Sequence, residues 1–197
     1  MKRMLSLITL FVTLTIPGLA LATTWNIDPD HSTVGFKIRH LMVSNVNGHF
    51  TTYSGSIEVN EADITKSKVN VSIDAASIDT NVTKRDDHLR SPDFFDVAKY
   101  PKITFVSKSI SKAGPDRLQV KGDLTIHGVT KEVVLDVEGP TPESKDPWGN
   151  IRKGATATTK INRKDFGLNW NAALETGGVL VGDDVNITLE VELIKAK

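Results

Sequence analysis

The side chains able to act chemically on another molecule are few and scattered. Five histidines, His31, His40, His49, His88 and His127, are the candidates for metal ligation or general-base work. No two stand at the i, i+4 spacing with which a helix presents a pair of imidazoles to one zinc ion. His40 and His49 flank a turn, but nothing in the pattern requires them to converge, so no metal site is expected. Asp86, Asp87, Asp93 and Asp96 invite reading as acid/base carboxylates, yet Lys84, Arg85, Arg90 and Lys99 are interleaved with them. That mixture reads as a solvated, ion-paired cap. The chain has no cysteine, which removes thiol catalysis, disulfides and Cys-based zinc sites. It also has no G-x-S-x-G, phosphate-cradling or dinucleotide motif. No catalytic residue and no cofactor are assigned, and the chain does not read as an enzyme. Arg39 and His40 are the polar pair of most interest, because apolar Leu41 to Val43 follow at once. Two readings stay open: contact with a polar or phosphorylated head group at a cavity mouth, or a surface pair bonded to Asp86 or Asp87.

The elements that must carry these residues are strands. Apolar residues recur with period two in Val34–Phe36–Ile38, Val69–Val71–Ile73 and Ile103–Phe105. The same holds in Leu118–Val120–Gly122–Leu124–Ile126, Val133–Leu135–Val137, Ala155–Ala157–Thr159–Ile161 and Val185 to Leu193. Such alternation buries one face and solvates the other, the signature of antiparallel sheet. His127-Gly128 predicts a tight hairpin, Asn60 to Lys66 and Ala113 to Asp116 predict loops, and Gly139 to Asn150 is the longest irregular stretch. Two segments break the pattern. His40 to Asn45 predicts a short helical turn, and Thr83 to Arg90 a helix with Thr83 as N-cap, acids in its first turn and Pro92 as its stop. Phe94 and Phe95 follow, and either plug a barrel end or gate it. Eight or nine one-sided strands must form a sandwich or a closed barrel. The long last strand would be an aggregation-prone edge if left open, so a closed barrel is expected. Gly122 and the small inward set Ala155, Ala157 and Thr159 either leave volume inside it, where a dense core would carry bulk, or face bulky partners such as Phe36, Phe50 or Phe105.

Lys2 and Arg3, the apolar run Leu5 to Ile16, the Pro17-Gly18 break and Ala20-Leu21-Ala22 predict an export signal cleaved after Ala22. The run is too short for a membrane anchor. A periplasmic location and one domain spanning residues 23–197 are therefore expected. The whole chain is charge-neutral, and without Lys2 and Arg3 it carries 22 basic against 24 acidic residues, net −2. That balance excludes nucleic acid as a partner, which would call for a basic excess.

The order of several motifs adds to this reading. They are Trp25-Asn26-Ile27-Asp28 with His31-Ser32, Phe36 to Leu41 leading to Gly48-His49-Phe50, and His88 to Val97 with Tyr100-Pro101. Gly122 to Lys131 and Ile161-Asn162-Arg163 with Asp165-Phe166-Gly167 follow. Through them nearly the whole mature chain resembles the YceI-like family of exported lipid-binding proteins. The resemblance implies an all-β, eight-stranded antiparallel lipocalin-like barrel with one or two short helices. It implies a long cavity for an isoprenoid chain such as a polyprenyl phosphate or a quinone tail, and association with a cytochrome b561-type membrane protein. The ligand-contacting set expected on this basis has three parts. Phe36, Ile38, Phe50, Ile103, Phe105, Leu124, Ile126 and Leu135 would lie along the tail, with Ala155 and Ala157 as the space. Phe94 and Phe95 would stand at the lid, and Arg39, His40 and Leu41 at the mouth. The competing reading is a filled barrel that docks on a membrane redox partner. Monomer and homodimer remain open.

Overall fold

The period-two segments are all extended in the computed structural model, which describes residues 22–175 and 177–197. The export-signal segment up to Leu21 lies outside the described residues. The strands are β1 (Thr23–Ile27), β2 (Thr33–His40), β3 (Ser44–Phe50), β4 (Tyr53–Val59), β5 (Lys68–Asp74), β6 (Ile78–Asp79), β7 (Lys102–Gly114), β8 (Arg117–Ile126), β9 (Val129–Glu138), β10 (Ser144–Lys145), β11 (Ile151–Asn162) and β12 (Val181–Lys195). β1 and β2 follow one another along the same edge of β12, so together they are one broken stave. β3 with β4, and β5 with β6, are broken staves of the same kind. Eight antiparallel staves thus run up and down in chain order, with β10 as a small flap on β11. β12 closes the ring, pairing with β11 along one edge and with β2 and β1 along the other.

Each break has a local cause. Pro29 cannot donate to a ladder, and the Asp28 carboxylate caps the short 3-10 turn Pro29–His31 by accepting from the Asp30 N–H. Asp74 caps Ala75–Ser77 in the same way. The breaks in the second and third staves are bonded to each other, Thr51 N–H to Ser77 O at 3.1 Å and Asp74 N–H to Thr52 O at 2.9 Å.

One seam is thin. Thr156, Ala157 and Thr158 of β11 pair with Glu138, Val137 and Asp136 of β9, and the ladder goes no further. Beyond it the 3-10 turn Arg163–Phe166 lies against β9, with Phe166 and Leu168 buried in the main apolar cluster.

The helix α1 (Thr83–Arg90) spans the link between β6 and β7 at one end of the barrel. Its N-cap is Val82 and carries no side-chain cap, where Thr83 was expected to supply one. The local hydrogen bonding runs backwards instead. Buried Asp86 accepts from both the N–H and the hydroxyl of Thr80, and Arg85 Nε donates to the same hydroxyl at 2.7 Å. His127 and Gly128 both have positive φ (51° and 74°), the primed two-residue turn that suits twisted strands. The expected loop at Ala113–Asp116 shrinks to Pro115-Asp116, because β7 runs to Gly114. The turn after His40 is not helical. Leu41 and Met42, both at positive φ, are the central residues of a tight turn closed by Val43 N–H on His40 O, within the three-residue link between β2 and β3.

The opposite end is plugged. Trp25 is fully buried among Val59 and Leu193, and Lys153 Nζ stands 4.7 Å above its ring. Beside it, Arg152 gathers three carboxylates: Asp28 at 2.6 Å, Asp146 at 2.7 Å and Glu192 at 2.5 Å. Burial alone would raise the Asp28 carboxyl. Hydrogen bonds from Arg152, His31 and the Asp30 N–H outweigh it and leave the group below its ordinary value of 3.8. Asp146 is lowered too, with burial again opposed by Arg152, Asn150 and backbone donors.

Gly122 is not spare volume. A Cβ there would stand 2.5 Å from the Phe105 ring and 2.6 Å from Val106 O, so the ring of Phe105 occupies the place of its missing side chain. Gly122→Ala is therefore expected to cost about 1–3 kcal/mol by overpacking. Gly35→Ala, whose Cβ would meet nothing closer than 3.4 Å, should be close to neutral. Urea unfolding of the two variants checks this. A second test concerns pH. Carboxylates lowered in the folded state contribute stability above their unfolded pKa, and lose it as pH falls through the folded value. Arg152→Met should accordingly be much less stable than the parent near neutrality, with the gap narrowing below about pH 3. Loss of the exposed Lys160–Asp184 pair should matter far less.

Candidate functional site

The inward faces of the staves do not meet. They surround a cavity of about 460 Å³, within the roughly 300–1,000 Å³ of small-molecule sites. On β12 its lining runs from Val181 to Leu193, twelve steps of about 3.3 Å, or about 40 Å along the strand. Strands tilted roughly 35–45° to the barrel axis shorten that to about 30 Å of depth. The cavity is therefore long and narrow, with the proportions of a chain rather than of a ring system.

Fourteen of the fifteen residues expected to contact a ligand line this space: Phe36, Ile38, Arg39, His40, Phe50, Phe94, Phe95, Ile103, Phe105, Leu124, Ile126, Leu135, Ala155 and Ala157. Leu41 does not. The hairpin turns at that position, in place of the helical turn that would have carried it inward, and leaves its side chain exposed. On β11 the small set Ala155, Ala157 and Thr159 faces the cavity as its alternation requires. Phe36 packs on Phe50, and Phe95 meets Phe50 edge-on at 6.0 Å. Phe94 is buried in a cluster with His88 and Trp170, whose ring centroids are 4.8 Å apart. Trp148 is exposed on its loop.

The basic residues of the lining are Arg39, His40, Arg85, His88, Lys153 and Arg163, with no carboxylate among the described residues that line it. Five gather at the α1 end, and Lys153 stands alone at the plugged end beside Trp25. Arg39 does not reach Asp86 or Asp87; its Nη2 donates to Met42 O at 2.8 Å and fixes the hairpin. His40 and His49 do not converge, since the β2–β3 register sets His40 opposite Ser44 and His49 opposite Gly35.

Arg163 and Lys153 escaped the sequence reading, although the signal was there. They continue the inward alternation of β11 at its two ends, so the stave reads Lys153, Ala155, Ala157, Thr159, Ile161, Arg163, with a cation at either end. Arg163 is almost fully buried and donates to the carbonyls of Leu168, Gly182 (2.8 Å) and Val181 (3.5 Å). Burial lowers its pKa, opposed by Asp183 at 3.6 Å. Arg85 and His88 carried no signal, because a charged helix does not declare which face it turns inward.

Among the described residues, one group has the composition of a cation site. Asp28, His31 and Glu192 offer ligand atoms within 4.8 Å of one another. The Arg152 guanidinium already bridges both carboxylates there, so the cluster is a structural ion-pair network.

A family model described as the YceI-like domain matches residues 25–193, which is almost the entire barrel. The chain belongs to the YceI-like family. A UPF0312 protein of Staphylococcus aureus is 42% identical over 171 residues, covering 86% of this chain and 96% of that protein. A UPF0312 protein of Vibrio cholerae is 39% identical over 170 residues, covering 85% of this chain and 89% of that one. The crystal structure of a Campylobacter jejuni YceI protein superposes with a TM-score of 0.69 at 36% identity, over 81% of this chain and 90% of that one. A polyisoprenoid binding domain from Saccharophagus degradans, implicated in plant cell wall breakdown, has the same fold. Its TM-score is 0.64 at 18% identity, over 89% of this chain and 99% of that one. The closed eight-stranded antiparallel barrel is thus the YceI-like fold.

Arg163→Met would leave the buried carbonyls that Arg163 serves short of a donor, at about 1–3 kcal/mol for each one orphaned. A lowered urea midpoint, together with altered fluorescence from Trp170 on the neighbouring loop, is the expected result.

Proposed function

We propose that this YceI-like protein is an exported, periplasmic carrier that holds one long-chain isoprenoid lipid, with its tail along the barrel and its polar head at the α1 end. One observation carries the reading: a deep, narrow, apolar cavity lined, among the described residues, by arginine, lysine and histidine and by no carboxylate. An amphiphile with an anionic or carbonyl-bearing head, such as a polyprenyl phosphate or a quinone, matches that distribution. In this reading Arg39, Arg85 and His88, which line the α1 end, would meet the head. Family membership supports a binding role rather than catalysis, and the shared fold of a polyisoprenoid binding domain supports the lipid class.

The energetics are adequate. Each buried CH₂ of a tail contributes about 0.8 kcal/mol gross. Roughly twenty carbons therefore exceed the about 4–15 kcal/mol that association costs. Binding carried by the tail tolerates variation in the head, which suits a carrier. A filled barrel would have left no such space, so the open interior favours a carrier over a purely docking role. Handover to a cytochrome b561-type membrane protein rests on the family resemblance alone.

Native mass spectrometry of the protein taken from the periplasm, followed by organic extraction, tests the proposal. The expected result is a stoichiometric bound mass that passes into solvent, on a chain beginning at Thr23. A bare chain that takes up neither added quinone nor polyprenyl phosphate would overturn it. Ala157→Phe should fill the cavity and weaken lipid binding by at least about tenfold, or 1.4 kcal/mol, with unfolding still cooperative. Ala157 is buried and faces the space directly.

A further inference from the structure

The β2–β3 hairpin ends in three consecutive exposed apolar residues, Leu41, Met42 and Val43, which are 39%, 52% and 75% exposed. Scattered surface hydrophobes need no explanation, but three at the apex of a projecting turn form a patch. Their backbone makes the choice stranger. Leu41 has φ 52° and Met42 φ 62°, the left-handed region that side chains with a Cβ rarely adopt. A turn with both central residues at positive φ favours Asn-Gly, and here it carries two large apolar side chains. Strain retained at such a place points to function.

The turn is also held rigid. Val43 N–H donates to His40 O at 3.1 Å and Leu41 N–H to Leu180 O at 2.8 Å. Arg39 Nη2 donates to Met42 O at 2.8 Å. Gly178 lies so close beneath Met42 that a Cβ there would stand 3.3 Å from Met42 Cγ. The knob is therefore preformed. It sits on the rim of the cavity, because Arg39, His40, Leu180 and Val181 beside it all belong to the lining.

Charge identifies what the knob meets. From Thr33 to Phe50 the hairpin contains Lys37 and Arg39 and no acidic residue, within a chain of zero formal net charge. The acidic positions on the neighbouring chain are Asp183, Asp184 and Glu175, and Asp184 is paired with Lys160 at 3.1 Å. Asp183 is held by Lys164 at 2.9 Å and by Arg163, and exposed Glu175 lies in the loop before β12. An apolar apex backed by cations is what inserts into the head-group layer of an anionic bilayer.

We infer that Leu41-Met42-Val43 is a membrane-docking tip, which seats the cavity rim on an anionic lipid surface so that the cargo slides between bilayer and barrel without crossing water. The inference rests on the carrier reading for its purpose but is read out separately from it. The test pairs Leu41→Asn with Met42→Gly, the residues this turn prefers. That variant should unfold at a higher urea concentration than the parent, since strain is relieved. Its co-flotation with phosphatidylglycerol-containing vesicles that lack isoprenoid should fall at least about tenfold. Added salt should weaken the parent's vesicle binding. Uptake of quinone from detergent micelles should not change. Vesicle binding equal in variant and parent, or no binding by the parent, would overturn the inference. A parent that sediments as a dimer where the variant is monomeric would also overturn it, by making a second copy the occupant. If neither protein takes up quinone, the carrier reading fails while the vesicle measurement still decides the tip.

Discussion

Closure of the ring by its last strand is the constraint on which everything else depends. β12 must find two partners at once: β11, close behind it in the chain, and the β1–β2 stave more than 140 residues earlier. Without that second pairing the sheet has two open edges and no interior. The chain has no cysteine to hold the ends together. The work falls to the ladder and to one ion-pair network placed at the junction, where Arg152 of β11 reaches Asp28 in the break between β1 and β2 and Glu192 of β12. Those three elements are the ones that must meet for the barrel to exist. Asp146 binds the flap that carries β10 to the same guanidinium.

A barrel closed in this way leaves polar groups tolerable only at its two rims. Along the middle of the cavity every lining side chain is apolar or a threonine, and the charges appear where the staves end. Arg163 shows the cost of that boundary. It is buried, its pKa is lowered, and it is tolerated because the carbonyls of Leu168, Gly182 and Val181 surround it. It ties the Trp170 loop to the start of β12, so the floor under the His88–Phe94–Trp170 cluster is fixed by hydrogen bonds rather than by packing alone.

How much of this could be read from the chain depended on distance along it. Period-two alternation is a local signal, and it marked the cavity-facing side of β2, β8, β9, β11 and β12 correctly. The His127-Gly128 turn was legible because its residues match its backbone. Leu41-Met42 was not, because its residues contradict its backbone, and a local rule has no way to expect a strained turn. Thr83 looked like a cap until Asp86 turned back to Thr80, a partner outside the helix. Gly122 left two readings open, empty space or a bulky partner, since local pattern cannot decide that Phe105 on the adjacent stave fills it. The Arg152 network was invisible for the same reason: its members lie as far as 124 residues apart.

The thin β9–β11 seam gives the container an elastic direction. Elsewhere around the ring, widening the barrel means breaking ladder hydrogen bonds that have no other partner in an apolar interior. Past Ala157 and Val137 the two staves are held instead by Phe166, Leu168 and their neighbours, in van der Waals contact. Such contacts are individually weak, and rotamer changes can remake them. Girth is therefore set by side-chain packing along this one line and by hydrogen bonds along the rest. The barrel is thus a tube with one joint, where girth can change by repacking side chains without loosening the closure that makes it a tube.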